Sequence, residues 1–495
     1  MRSNTTSLLV RNVSHLGLGQ VASTALGILQ TAVIGRALEP AQLGVLYTVF
    51  AISTFAYVIV DWGQGTYLVR EMARGRVDES ELIGSALVVR LATIVFSSVI
   101  AVAIALTLGY GGQIVALTLL AMMAAVPSTL LAPVACSFRA RDRMDLDASA
   151  NIVGKAMTLV ATAVALHLGG GLTEVILVQS IGGISTMLFV AIAGRRLSIK
   201  FKAPAMKMIW ELVRHGAPIA AFSLVIALQP FVEILLLSVL TNSTVVGWFG
   251  AFRTTFGIVV SPALILVAAS FPELSRASRS LPDLRRLIDV TGRVLFIAAA
   301  LTSSALYLFA GDIIAIIYGQ GRFEQTVSIL RVGAVFVPLL FYSYVLASAV
   351  TAVGRNRALA VISIVRIAFC VVTSWFLIGY FQQRYGNGGI ALVIVAGVTE
   401  LPTTFAYWAL LPKGAVGTST TLNLVRACIA SVCTVVPLSM LQPLGLLYLI
   451  PLFALSFAVV AMVTRLVLPS DLRLLMEVVR TRVVGAQATK SVPDG

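Results

Sequence analysis

The stretch VVGWFGAFRTTFGIVVSPALILVAAS, residues 245–270, is apolar almost throughout yet carries Arg253 near its middle. Its length suits a helix crossing a membrane, which needs about 20 apolar residues. At ~1.5 Å of rise per residue, Arg253 then stands roughly 14 Å deep. A cation at that depth is costly unless it meets a partner or a wet cavity, so it is a candidate for function before anything else.

The rest of the chain repeats the pattern. It has 495 residues, 58% hydrophobic and only 12% charged, with a mean hydropathy of +0.97. A soluble domain carries about twice that share of charge. No charged residue occurs for 48 positions after Arg90, nor for 38 after Arg426. Each run holds two spans of about 20 residues and a turn. This is the composition of an all-α polytopic membrane protein. The opening MRSNTTSLLVRNVSHLG lacks the short apolar core and cleavage site of a removable signal. Cys136, Cys370, Cys428 and Cys433 lie in apolar stretches without metal-ligand spacing and read as packing residues.

Apolar runs between glycine, proline and charge punctuation place about fourteen spans. Six lie near 13–34, 44–63, 84–108, 113–137, 150–168 and 173–193, and six near 216–240, 244–270, 292–310, 328–353, 358–381 and 388–411. Two more lie near 423–441 and 445–467. Loops after even-numbered spans, with both termini, hold 25 Lys and Arg, against four in the loops after odd-numbered spans or at their edge. That bias predicts cytoplasmic termini and, on the family resemblance below, residence in a bacterial inner membrane. The net charge of +15 is then mainly an orientation signal facing anionic lipid, not a nucleic-acid patch.

The two sets of six resemble each other. Offset by 203 positions, Arg11 falls on Arg214, Gly44 on Gly247 and Arg90 on Arg293. Offset by 211, Pro127 falls on Pro338 and Lys155 on Arg366, and offset by 218, residues 170–172 fall on 388–390. An even number of spans per copy predicts two six-helix bundles related by a pseudo-two-fold along the membrane normal, with the substrate path between them. The expected division is a lobe over 1–210, a second over 211–415, and two extra helices with a cytoplasmic tail over 416–495.

The segment 29–74, LQTAVIGRALEPAQLGVLYTVFAISTFAYVIVDWGQGTYLVREMAR, resembles the opening of the bacterial polysaccharide flippases. These belong to the multidrug/oligosaccharidyl-lipid/polysaccharide (MOP) exporter superfamily. The matching positions are Arg36, Leu38, Pro40, Gly44, Tyr47, Asp61, Gly63, Arg70, Glu71 and Ala73, while Glu39 and Leu43 depart from the family pattern. The stretch from Gly247 to Arg276 is similar to the family's aromatic–Ala–aromatic–Arg helix ending in Phe-Pro-x-Leu-Ser. The resemblance implies a flippase that moves a polyprenyl-diphosphate-linked oligosaccharide from the cytoplasmic to the outer leaflet. Its implied partners are that lipid-linked oligosaccharide, membrane lipids, and polysaccharide polymerase or export proteins.

Charges inside the spans are the candidate machinery. Arg253, Arg366, Lys155, Arg90 and Arg293 are candidates for a cationic cavity that takes the diphosphate, because guanidinium and ammonium donors replace the water around phosphate oxygens. Glu233, Glu400 and Asp61 are candidates for proton or sodium coupling, or for ion pairs: adjacent antiparallel spans put Glu233 level with Arg253 and Glu400 level with Arg366, in which case Arg90, Lys155 and Arg293 snorkel to the cytoplasmic interface. Gln20, Gln30, Gln229 and Asn151 are candidates to bond sugar hydroxyls or to pack helices. His15, His167 and His215 are isolated, and neither a phosphate-binding loop nor a nucleophile–base set occurs, so no metal, cofactor or bond chemistry is expected.

Three rivals remain. A drug or cation antiporter of the same superfamily would want an acid-lined pocket, whereas the deep charges here are more often basic. A twelve-span facilitator would leave two spans over and would carry a basic motif in the loop after its second span that is missing here. A glycan polymerase or ligase would want a large outer loop, and the longest, GDIIAIIYGQGRFEQT (311–326), is short.

Overall fold

The computed structural model describes residues 2–75, 77–441 and 445–467, with side chains from residue 19 onward. The tail expected after residue 467 lies outside the described residues. The chain begins with α1 (Arg2–Ala37), α2 (Pro40–Asp61), α3 (Gln64–Arg74), α4 (Glu79–Thr107), α5 (Gly112–Leu130) and α6 (Ala132–Ala140). It goes on through α7 (Met144–His167), α8 (Leu172–Leu177), α9 (Gln179–Arg196), α10 (Met206–Leu240), α11 (Ser243–Ala277) and α12 (Leu281–Leu308). The last are α13 (Ala310–Tyr318), α14 (Glu324–Ala352), α15 (Asn356–Tyr385), α16 (Gly389–Leu410), α17 (Thr418–Ser439) and α18 (Leu446–Val463).

Thirteen helical stretches among the described residues are long and apolar enough to cross a membrane, and each overlies one of the thirteen expected spans after the first. The first expected span, 13–34, falls inside α1. The protein is therefore an all-helical, polytopic membrane protein of about fourteen spans. Hydrocarbon supplies no hydrogen-bond partners, so only segments that satisfy their own backbone can cross it.

Three details differ from the spans read off the sequence. The expected outer loop 311–326 contains α13, whose apolar run is only nine residues long and so too short to span. The Asp-x-Gly turn opens a further helix, α3, because Trp62 and Gly63 take left-handed conformations (φ 45° and 69°) that stop α2 and re-aim the chain. The indole of Trp62 donates to the Val213 carbonyl at 3.1 Å, which holds this unusual conformation for a bulky residue. Pro218, Pro230, Pro262 and Pro338, a residue type that commonly breaks helices, lie inside helices that run on past them.

The chain forms two compact units. One comprises Met1–Ile258, Ile314–Thr326 and Val371–Leu392, and the other the remaining segments. In the first, α1 packs on α7, α7 and α5 on α9, and α2 on α4 and α10. Its core includes Ile52, Ala56, Ala101, Ala105, Met122 and Leu235, each buried where these helices meet. In the second, α12 packs on α17 and α17 on α18, with Leu308, Leu438, Leu449 and Phe453 between them. Large apolar side chains such as Phe222 and Ile226 on α10 and Phe405 and Trp408 on α16 stay on the surface, as acyl chains require.

Inside the first unit the starts of α2 and α11 cross with backbone against backbone. A Cβ on Gly44 would run into the Ser243 carbonyl, and one on Gly247 into the Pro40 carbonyl. Ser243 stands 203 positions after Pro40 and Gly247 the same distance after Gly44, so equivalent positions of the repeat touch reciprocally. This is the contact pattern of a two-fold axis. Only glycine permits it, for want of a side chain. Gly44→Ala and Gly247→Ala are each expected to lower stability by about 1–3 kcal/mol. The double variant should differ from the sum of the two, because both act on one crossing. Melting of the purified protein in detergent measures all three.

Candidate functional site

The first unit encloses a cavity of about 490 Å³ beside this crossing. It is lined by Gly27, Gln30, Thr31 and Ile34 of α1 and by Leu43, Leu46, Tyr47, Phe50, Ser53, Thr54 and Tyr57 of α2. Ala121, Ala125, Lys155, Gln179 and Thr254 complete the wall. Each set recurs every three or four residues, so one face of α1 and one face of α2 look into the space. Tyr47 and Thr254 bond hydroxyl to hydroxyl at 3.0 Å, tying α2 to α11 below the glycine crossing. Tyr57 donates to the Met122 carbonyl.

Lys155 is the charge in this wall. It sits midway along α7, and its Nζ donates to the Ser23 carbonyl at 3.3 Å. Among the described residues no carboxylate lies within ion-pair distance of it, and none lines the cavity. An ammonium keeps two further donors in that position, at a depth where an unanswered charge is costly.

The other intramembrane cations are placed differently. Arg253 donates to Glu233 at 2.5 Å, and Gln229 donates to the second oxygen of the same carboxylate at 2.9 Å. Arg366 donates to Glu400 at 2.6 Å. Glu400 is only 6% exposed, and its other oxygen is buried without a hydrogen-bond partner. Arg90, buried, donates to Asp61 and to the Thr129 carbonyl, both at 2.9 Å. Arg293 is partly buried on α12. The structure thus joins three of the five candidate cations to the three candidate carboxylates, and Lys155 to none.

Of the amides singled out by sequence, Gln30 faces the cavity, Gln229 serves Glu233, and Asn151 donates back to the Asp147 carbonyl. Tyr47, Ser53, Thr54, Tyr57, Gln179 and Thr254 escape a reading that looks for charge. The signal that reveals them is the polar stripe Tyr47, Thr54, Tyr57 along an otherwise apolar α2.

Outside the spans, the loop before α10 is pinned by Lys202, whose ammonium bonds Asp78 and whose amide donates to the Ser80 carbonyl at 3.2 Å. The Lys202 hydrogen bond holds the Asp78 carboxyl below the usual carboxylate range, and Asp78 in turn raises the lysine.

The Arg366–Glu400 pair yields a direct test. Arg366→Gln or Glu400→Gln alone is expected to cost about 3–5 kcal/mol by stranding the remaining charge. The double variant should recover most of that loss, as measured by melting temperature and by the amount of protein in the membrane.

The architecture has solved counterparts. The lipid II flippase MurJ in an inward closed conformation superposes with a TM-score of 0.70 at 11% identity, over 90% of this chain and 98% of that one. An inward-facing multidrug-resistance MATE transporter of the MOP superfamily superposes with a TM-score of 0.65 at 17% identity, over 81% and 98%. A MOP-superfamily transporter from Pyrococcus furiosus, described as having a binding pocket of reverse polarity, gives 0.56 at 14%, over 85% and 96%. At these identities the likeness is one of fold. No curated protein sequence matches the chain. The family model described as "Polysaccharide biosynthesis protein" matches residues 9–278, more than half of the length. On the fold of the MOP-superfamily transporters, then, this chain belongs to the polysaccharide biosynthesis protein family.

Proposed function

We propose that the protein is a flippase that carries a polyprenyl-diphosphate-linked oligosaccharide from the cytoplasmic to the outer leaflet of a bacterial inner membrane. The observation that carries this reading is Lys155, an ammonium midway along a span, facing a cavity without a carboxylate. A cavity with that polarity favours an anionic, hydroxyl-rich head. It disfavours the cationic drugs that an antiporter of the same fold would carry, since a like charge in a low-dielectric wall repels them. Family membership and the likeness to a lipid II flippase point the same way. The polyprenyl tail stays in the bilayer while the head crosses, so the protein handles only the polar part.

Movement is by alternating access between two six-helix lobes, 1–210 and 211–415. With cytoplasmic termini, the Gly44–Gly247 crossing stands at the outer ends of α2 and α11, and the Tyr47–Thr254 bond lies further in. They close the cavity on that side and must part before the head can leave. Of Glu233, Glu400 and Asp61, Glu400 is the carboxylate assigned to proton or sodium coupling, because it keeps a buried oxygen without a partner. Polymerase and export proteins are the expected acceptors of the flipped product.

Lys155→Ala is expected to abolish surface glycan in a complemented deletion strain at normal protein levels, with lipid-linked precursor accumulating inside. Lys155→Arg should retain part of the activity. Normal glycan from the alanine variant would end this reading. Flipping in proteoliposomes should fall when proton and sodium gradients are both collapsed, and Glu400→Gln should be insensitive to that collapse.

A further inference from the structure

Ser53 is one of eight buried serine and threonine hydroxyls among the described residues that have no hydrogen-bond partner. A serine or threonine inside an apolar helix satisfies itself by donating to the carbonyl three or four residues back. Thr48 donates to Gly44 at 3.0 Å, Ser98 to Ile94 at 2.8 Å, Thr158 to Gly154 at 2.9 Å and Thr254 to Gly250 at 3.0 Å. Ser53 has the same option in Val49 and Phe50 and does not take it. Its residue is 5% exposed, and its Oγ has no hydrogen-bond partner. Among the buried, partnerless hydroxyls of the described residues, it alone lines the cavity that Lys155 enters.

We infer that this cavity is a subsite for the sugar–phosphate junction of the precursor, with Lys155 on a phosphate oxygen and Ser53 on a ring hydroxyl. The inference rests on the flippase reading and deepens it by naming which part of the head is held there. The donor set decides between the parts. A site for diphosphate alone would gather cations and N–H donors, since ionised phosphate only accepts. Here one ammonium is surrounded by groups that both donate and accept: Gln30, Thr31, Ser53, Thr54 and Gln179. Sugar hydroxyls also do both, and each can be answered by such a group.

The aromatic rings fit the same ligand. The hydroxyls of Tyr47 and Tyr57 are already committed, to Thr254 and to the Met122 carbonyl. Those rings, with Phe50, therefore offer the cavity apolar faces on which the C–H side of a pyranose can lie. The volume, about 490 Å³, lies in the range of small-molecule sites and leaves no room for a polyprenyl tail.

The test uses the full chain, purified, with Cys136, Cys370, Cys428 and Cys433 replaced and Ala125→Cys as a reporter inside the cavity. The rate of maleimide labelling is measured with α-D-glucose 1-phosphate, inorganic diphosphate or glucose present. Glucose 1-phosphate and diphosphate should both slow labelling, and glucose should do so at least tenfold less effectively than its phosphate. Ser53→Ala should weaken protection by glucose 1-phosphate about tenfold and leave protection by diphosphate unchanged. Ser53→Thr, which keeps a hydroxyl, should restore it and so separates a lost contact from a misfolded protein. Lys155→Gln should remove protection by both anions. If Ser53→Ala affects both anions equally, or neither, the sugar–phosphate subsite is wrong while the anion reading stands. If glucose protects as well as its phosphate, the subsite is wrong in its charge. If neither anion protects, the subsite and the flippase reading fall together.

Discussion

A charge inside hydrocarbon must be answered by something within bonding distance, and that constraint organises this protein. Arg90, Arg253 and Arg366 each find a carboxylate on another helix, at 2.5–2.9 Å. A pair so placed is neutral to the bilayer and fixes two helices in depth and rotation. Lys155 is the departure. Its single carbonyl contact leaves an ammonium at mid-span with spare donors and no acid, beside an open space. Three cations with carboxylate partners brace pairs of helices, and Lys155 differs from them in facing a cavity.

The repeat acquires a physical meaning at the crossing of α2 and α11. Gly44 and Gly247 are equivalent by sequence offset, and each lies against the carbonyl that begins the other's helix. Close helix approach through small residues is how membrane helices gain contact when water supplies no hydrophobic drive. The same register that duplicates a six-span unit also places one pair of glycines face to face. The crossing then holds the aromatic and hydroxyl positions below it, Tyr47 and Thr254, at bonding distance.

The cavity combines features that single-residue reasoning separates. Its wall draws one stripe from α1, one from α2, and single residues from helices far apart in sequence, including Lys155, Gln179 and Thr254. Lys155 stands out on its own helix as a charge, whereas Gln179 and Thr254 do not. Together they form a surface with one positive charge, several hydroxyl and amide groups and three aromatic faces.

Much was legible in the sequence, for definite reasons. Span number and placement follow from the length of apolar runs, because bilayer thickness sets helix length and leaves little freedom. The deep charges were visible as isolated exceptions, and the repeat as matched offsets such as Gly44 with Gly247. Partnership was legible in part: adjacent antiparallel spans put Arg253 level with Glu233 and Arg366 level with Glu400, and both pairs form. The span sequences do not show that Arg90 meets Asp61, nor that Lys155 meets a backbone carbonyl. Which cation is answered depends on how helices rotate about their axes and which neighbours they meet. An isolated span carries no record of either, and only the packed tertiary structure decides it.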